Sequence, residues 1–200
     1  LPRSPDDPPS TRSLLLSGNY EYMTDGYYAC QDAELSGGAD VMPTCADALD
    51  AYVVPIALEK AAKAGVAVPD WVLTHEYFPV PAVCYGVNPF SRKYAVVRQE
   101  SEREAAAKQL TWNFKYTMCC QRIAAETQIA EFRTICGKTE QREFADWAER
   151  MFAIFRIPVA TVRLLRNGRL EFSAIEILPF RQLTPTEREW AARFAEASRG

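Results

Sequence analysis

Asn167-Gly168 lies between two β-rich runs in "PVATVRLLRNGRLEFSAIEILP" (158–179). Both central residues of a type I′ turn need positive φ, which Asn and Gly tolerate best, so the dipeptide predicts a tight antiparallel hairpin. No other stretch limits the fold as closely. Just before it, "TEQREFADWAERMFAIF" (139–155) reads as an amphipathic helix with Phe144, Trp147, Ala148, Met151, Phe152 and Phe155 on one face. Thr139 is placed to cap that helix. "TQIAEFRTICG" (127–137) is a further strand candidate. "LTPTEREWAARFAEA" (183–197) predicts a closing helix, with Thr184 as cap and Pro185 at the first position.

The N-terminal half carries a different pattern. "SLLLSG" (13–18) reads as a short buried strand, and Gly26 to Leu35 suits a helix that Thr24 or Asp25 caps. "SGG" (36–38) ends the helix and "ADVMPTC" (39–45) supplies a second strand, so the segment predicts a βαβ unit with parallel strands. A helix over 45–65 follows, kinked or split by Pro55 and closed by Gly65. Residues 66–92 hold Pro69, Pro79, Pro81 and Pro89 and read as irregular. Strong helix formers fill 100–109. "LTWNFKYTM" (110–118) alternates apolar and polar residues as a strand with one aromatic face does; a helix continuing from 100 competes, because Leu110, Phe114 and Met118 also stack.

The expected class is therefore α/β or α+β: an N-terminal βαβ unit with a mixed sheet, then a C-terminal amphipathic helix, β-hairpin and closing helix. Residues 1–12, with four prolines and no apolar pattern, read as a mobile arm, and 13–200 as a single domain. The chain opens at Leu1 without Met, as expected of a piece of a longer protein.

Charge and motifs narrow the function. A net charge of −3 gives no reason to expect nucleic acid or an anionic membrane as partner. No apolar run nears the roughly 18 residues of a membrane span, and no signal sequence opens the chain. None of the six cysteines (Cys30, Cys45, Cys84, Cys119, Cys120, Cys136) forms a CxxC pair, and His75 is far from all of them. That spacing argues against structural zinc and for free, buried thiols in the cytoplasm. The adjacent Cys119 and Cys120 leave open a vicinal disulfide or a reactive thiol. There is no GxxxxGK[ST], GxGxxG or GxSxG motif, and "SGGAD" follows a helix instead of opening one. No catalytic residue and no metal ligand are expected.

What remains is "SGNYEYMTDG" (17–26), a loop leaving a strand of an open α/β unit, where ligands gather. Ser17, Asn19, Tyr20, Tyr22, Asp25 and Tyr27 are the candidate binding residues, since tyrosine joins stacking area to a hydroxyl. The plainer alternative is that Tyr20, Tyr27 and Tyr28 plug the sheet and seat the helix.

At these residues the sequence resembles the RLAN domain, the RimK-like ATP-grasp N-terminal domain. The resemblance lies in Tyr20/Tyr22, Gly26-Tyr27-Tyr28, Ala33-Glu34, Gly37-Gly38 and Val41-Met42-Pro43. A second block, from "RTICG" through the Phe152-x-x-Phe155-x-x-Pro158 ending to the hairpin and its Leu178-Pro179 exit, agrees in order and type. The likeness covers roughly 13–55 and 130–195; 66–129 reads as an insertion or a divergent segment, and Cys136 stands where an aromatic residue precedes glycine in the family. The resemblance implies an accessory domain that packs on the catalytic core of a carboxylate–amine ligase and shapes its acceptor site. It implies ATP and magnesium on a C-terminal ATP-grasp module, none in this chain, and a peptide or amino-acid substrate. Two other readings stand beside it: an adaptor using the tyrosine loop or the edge of the 110–118 strand, and a thiol enzyme using Cys119 or Cys120.

Overall fold

The computed structural model describes residues 11–36, 39–87 and 93–197. Strands β1 (Thr11–Leu14) and β2 (Ala39–Met42) pair in parallel, with α1 (Asp25–Leu35) crossing between them as the βαβ reading requires. Thr11 and Arg12, assigned from sequence to the arm, belong to β1; residues 1–10 and the Gly37-Gly38 stop lie outside the described residues. β1 ends at Leu14, earlier than the 13–18 run suggests, and Leu15 to Gly18 start the loop. Thr24 caps α1, its hydroxyl accepting the Tyr27 N–H. Pro55 splits the next helical segment into α2 (Cys45–Tyr52) and α3 (Val54–Lys63). It stands in the first turn of α3, where a missing N–H costs nothing.

The middle of the chain corrects the sequence reading. Residues 66–92 are not irregular throughout, because β3 (Trp71–Thr74) and β4 (Ala82–Gly86) form there. With β5 (Tyr94–Val97) and β6 (Met118–Arg122) they make an antiparallel sheet in the order β3-β6-β4-β5, covered by α4 (Glu100–Thr111). β4 is buried at every position, so it lacks the alternation that marks a half-exposed strand. Nor does a strand span 110–118. The chain leaves α4 through three consecutive left-handed residues, Trp112, Asn113 and Phe114, at φ of 54°, 57° and 64°. Thr111 anchors the exit: its hydroxyl donates to the Ala107 carbonyl at 2.6 Å and accepts the Phe114 N–H at 2.7 Å.

The third sheet, β7 (Gln128–Ile135), β8 (Val159–Asn167) and β9 (Arg169–Ile177), is antiparallel in that order. The hairpin forms where expected, but its turn is not type I′: Asn167 pairs with Arg169, and only Gly168 takes positive φ, at 70°. α5 (Ala145–Phe155) follows a 3₁₀ turn at Arg142–Phe144, so Thr139 does not cap it; the Thr139 hydroxyl accepts the Gln141 N–H instead. α6 (Pro185–Glu196) starts with a reciprocal cap between Thr184 and Glu187. No helix among the described residues is long and apolar enough to cross a membrane.

Parallel and antiparallel pairings thus occupy separate sheets. The main core joins α2, α3 and α5 to the third sheet, with Phe155 stacked on Phe172 and Phe132 on Phe144. A smaller one, with Phe78, Leu110 and Met118, lies between α4 and the four-stranded sheet. A buried polar seam fastens the two antiparallel sheets. The Ser173 hydroxyl donates to Gln121 Oε1 at 2.6 Å, and Gln121 Nε2 donates to the Ser173 carbonyl at 2.8 Å. With its single proton spent, Ser173 Oγ accepts from the Tyr85 hydroxyl at 2.8 Å. Beside it, Arg163 donates to Glu131 Oε1 at 2.6 Å and lies 3.9 Å from the Tyr94 ring centroid.

Ser173→Ala leaves the Tyr85 hydroxyl proton without its acceptor and buried Gln121 Oε1 without its donor. A loss of about 1–3 kcal/mol in unfolding free energy is expected, read as a lower urea midpoint with an unchanged slope. An unchanged midpoint would show that the seam contributes nothing.

Candidate functional site

The tyrosine loop is built on short local bonds. The Ser17 hydroxyl donates to the Asn19 carbonyl at 2.9 Å, and Asn19 Oδ1 accepts the Glu21 N–H at 2.9 Å. The Thr24 hydroxyl donates to the Glu21 carbonyl at 2.7 Å, closing the turn into α1. Gly26 fits where nothing larger does: a Cβ there would stand 2.1 Å from the Asn19 carbonyl oxygen and 2.4 Å from Ser17 Oγ.

The six predicted residues divide. Tyr20 is buried; its hydroxyl donates to the Leu15 carbonyl at 2.5 Å, and its N–H donates to the Tyr52 hydroxyl at 2.8 Å. Burial pushes its phenol above the usual range. Tyr20, Tyr22 and Tyr27 line one groove of about 350 Å³, together with Gln31, Cys45, Leu49 and Tyr52. Tyr22 is 71 % exposed and meets Tyr27 edge to face at 5.3 Å. Ser17 and Asn19 instead line a wider cleft of about 570 Å³ against the exit of β9, from Glu176 to Gln182. Asp25 stands exposed at the start of α1 and lines neither space. The far wall of the groove, Cys45, Leu49 and Tyr52, went unrecognised in the sequence. Their spacing of four and three puts them on one stripe of α2, and that stripe was the available signal.

Other candidate chemistry is weaker. His75 is exposed. Glu34 and Asp40 do not form a dyad, since Asp40 takes Arg156 Nη2 at 2.5 Å. None of the six cysteines is in a disulfide. Cys119 and Cys120 are buried in β6. Burial first, then the neighbouring Cys120, pushes the Cys119 thiol up to about 12. Cys120 is raised as well, chiefly by its contact with Cys84. A reactive thiol needs the reverse surroundings, exposed and electropositive.

A nucleotide needs a cavity of its own size, and magnesium needs oxygen ligands. Between the two antiparallel sheets, Tyr85, Lys93, Arg163 and Glu176 leave a cavity of only about 40 Å³, while Arg122, Thr127, Asn167 and Arg169 line a second one of about 340 Å³; ligand pockets run to about 300–1,000 Å³. Among the described residues, the cluster of three metal-competent side chains is Cys30, Glu34 and Cys45. Its thiols do not suit magnesium, which takes oxygen ligands. The 40 Å³ cavity does not hold a nucleotide, and the thiol cluster does not suit magnesium.

Two outcomes follow. Gly26→Ala destabilises by about 1–3 kcal/mol, as overpacking does, and shifts the amide resonances of 17–27; an unperturbed spectrum would contradict the packing. A thiol reagent at neutral pH modifies half-buried Cys45 well before Cys119 and Cys120, which react only on unfolding; mass mapping of the labelled peptides reads the order.

The profile of the RimK-like ATPgrasp N-terminal domain matches residues 75–194. The match takes in 75–129, most of the stretch whose sequence lacked a visible counterpart, and leaves out 13–55, which carried one. No curated protein matches the chain in sequence. Solved structures share the fold at low identity. D-alanine–D-alanine ligase from Bacillus anthracis superposes with a TM-score of 0.64 at 13% identity, covering 94% of this chain and 81% of that one. The RimK domain ATP-grasp protein from Sphaerobacter thermophilus gives 0.57 at 15% identity, covering 86% and 77%. The ATP-grasp ligase PsnB, solved with its precursor peptide and AMPPNP, gives 0.57 at 12% identity, covering 86% and 65%. Such identities speak to fold alone. The profile, which spans more than half of the sequence, decides the family: this chain belongs to the RimK-like ATP-grasp N-terminal domains.

Proposed function

We propose that the chain serves a RimK-like ATP-grasp ligase as an accessory domain, packing on the catalytic core and shaping the site that receives the acceptor substrate. The observation that carries this reading is where the space lies. Beside Arg163 and the tyrosines it meets, the gap between the antiparallel sheets narrows to about 40 Å³, whereas the groove beside α1 and α2 is open and edged by exposed Tyr22 and Leu49. A partner module supplies ATP and magnesium; this chain supplies aromatic surface.

The groove has the size and lining of a site for one amino-acid side chain or a short peptide segment. PsnB holds a precursor peptide, which supports a peptide as acceptor here. Tyr22 and Tyr27 offer ring faces and hydroxyls, and Gln31 an amide at the groove wall. In this reading Ser17 and Asn19 shape the loop, and Asp25 lies to one side. The adaptor reading shares the loop but loses its other surface, because 110–118 forms no strand edge.

Two measurements test the proposal. Calorimetry with ATP and magnesium on this chain alone shows no heat of binding; micromolar affinity would sink it. In the ligase assembled with its ATP-grasp module, Tyr22→Ala and Tyr27→Ala raise the acceptor KM about tenfold, the scale of an interface aromatic, and leave the KM for ATP unchanged. Equal effects on both substrates, or none on either, would argue against an acceptor site at the groove.

A further inference from the structure

Cysteine spacing in the sequence argues against a metal site, yet the fold gathers two of the six. Cys30 and Glu34 sit one turn apart on α1, and the βαβ connection returns Cys45, first residue of α2, to the same place. Their ligand atoms, two sulfurs and a carboxylate oxygen, all lie within 4.8 Å of one another. Cys30 Sγ is 3.2 Å from Glu34 Oε1. The Cys45 N–H donates to the same oxygen at 2.5 Å.

We propose that Cys30, Glu34 and Cys45 form a three-ligand site for zinc or a cation of similar size and softness, its fourth position facing the tyrosine groove. The geometry is close to ready. Thiolates about 2.3 Å from a tetrahedral zinc stand about 3.8 Å apart, so the sulfurs and the carboxylate need close by no more than about 1 Å. The donor set is selective: two sulfurs disfavour magnesium and calcium, and the carboxylate keeps the site in the range of a borderline divalent ion. Binding releases both thiol protons to solvent, leaving two thiolates, one carboxylate and one cation.

The surroundings suit a ligand set. The Cys45 N–H fixes the Glu34 carboxylate, as an outer-shell donor does. Cys30 is fully buried and Cys45 half-buried at the groove wall, so a bound ion is shielded on one side and open on the other. Three protein ligands with one open position is the arrangement of zinc sites that bind or polarise a further group. The inference does not rest on the accessory-domain reading: either can fail alone.

Cobalt(II) reports the site directly. Titrated into the chain held in a non-thiol reductant, it produces a thiolate-to-cobalt absorption band that saturates at one equivalent and is displaced by zinc. Cys45→Ser removes most of the band, and Glu34→Gln weakens affinity about tenfold or more, the scale on which even outer-shell changes act. Cys120→Ser leaves the band intact, separating this cluster from the Cys84–Cys120 contact. Because Cys30 is fully buried, Cys30→Ser disturbs packing on its own account, so Cys45 and Glu34 carry the test. No band at one equivalent, a band that survives Cys45→Ser, or one abolished by Cys120→Ser would overturn the assignment.

Discussion

Ser173 has one hydroxyl proton, and the join between the two antiparallel sheets is organised around where it goes. It points to Gln121 on β6, which leaves the oxygen free to accept from Tyr85 on β4, while the Gln121 amide returns to the Ser173 backbone. Each partner lies far from the others along the chain, so the seam exists only once both sheets have formed. In a dry interior such bonds are strong, and a missing one is costly. Among the described residues no buried side-chain nitrogen or oxygen lacks a partner. Arg163 extends the seam outward, held by Glu131 on its own sheet and laid over Tyr94 of the other. Because α2 and α3 pack on β9, the same strand that carries Ser173, the position of the groove relative to the four-stranded sheet follows from this join.

How much of this was legible depended on whether the deciding contact was local. Caps at Thr24 and Thr184 and the break at Pro55 are set within a few residues, and the βαβ unit within one continuous segment, and the sequence exposed them. β3 and β4 were hidden because their partner, β6, lies beyond α4, and because a strand buried at every position shows no period. The alternation at 110–118 came from a helix end and a left-handed exit, whose cause is a side-chain bond from Thr111 that no hydropathy pattern records. The tyrosines were visible as a group, but not that Tyr20 turns its hydroxyl inward while Tyr22 turns outward. Cys30, Glu34 and Cys45 meet across the βαβ connection, so their proximity is tertiary information.

The space between the antiparallel sheets is uneven. Beside the seam it narrows to about 40 Å³, where Arg163 lies against the Tyr85 and Tyr94 rings. Toward the hairpin it widens to about 340 Å³ between Arg122 and Thr127 on one side and Asn167 and Arg169 on the other.

The edge-to-face meeting of Tyr22 and Tyr27 has a consequence for what the groove accepts. An occupant that pushes the outer ring aside forfeits an aromatic contact of about 0.5–1.5 kcal/mol. A flat group, such as a guanidinium or a second ring, regains that energy by lying against the displaced face; a flexible aliphatic chain of equal size regains little. In the proposed acceptor site, planarity, more than length, would therefore be the property on which this mouth discriminates.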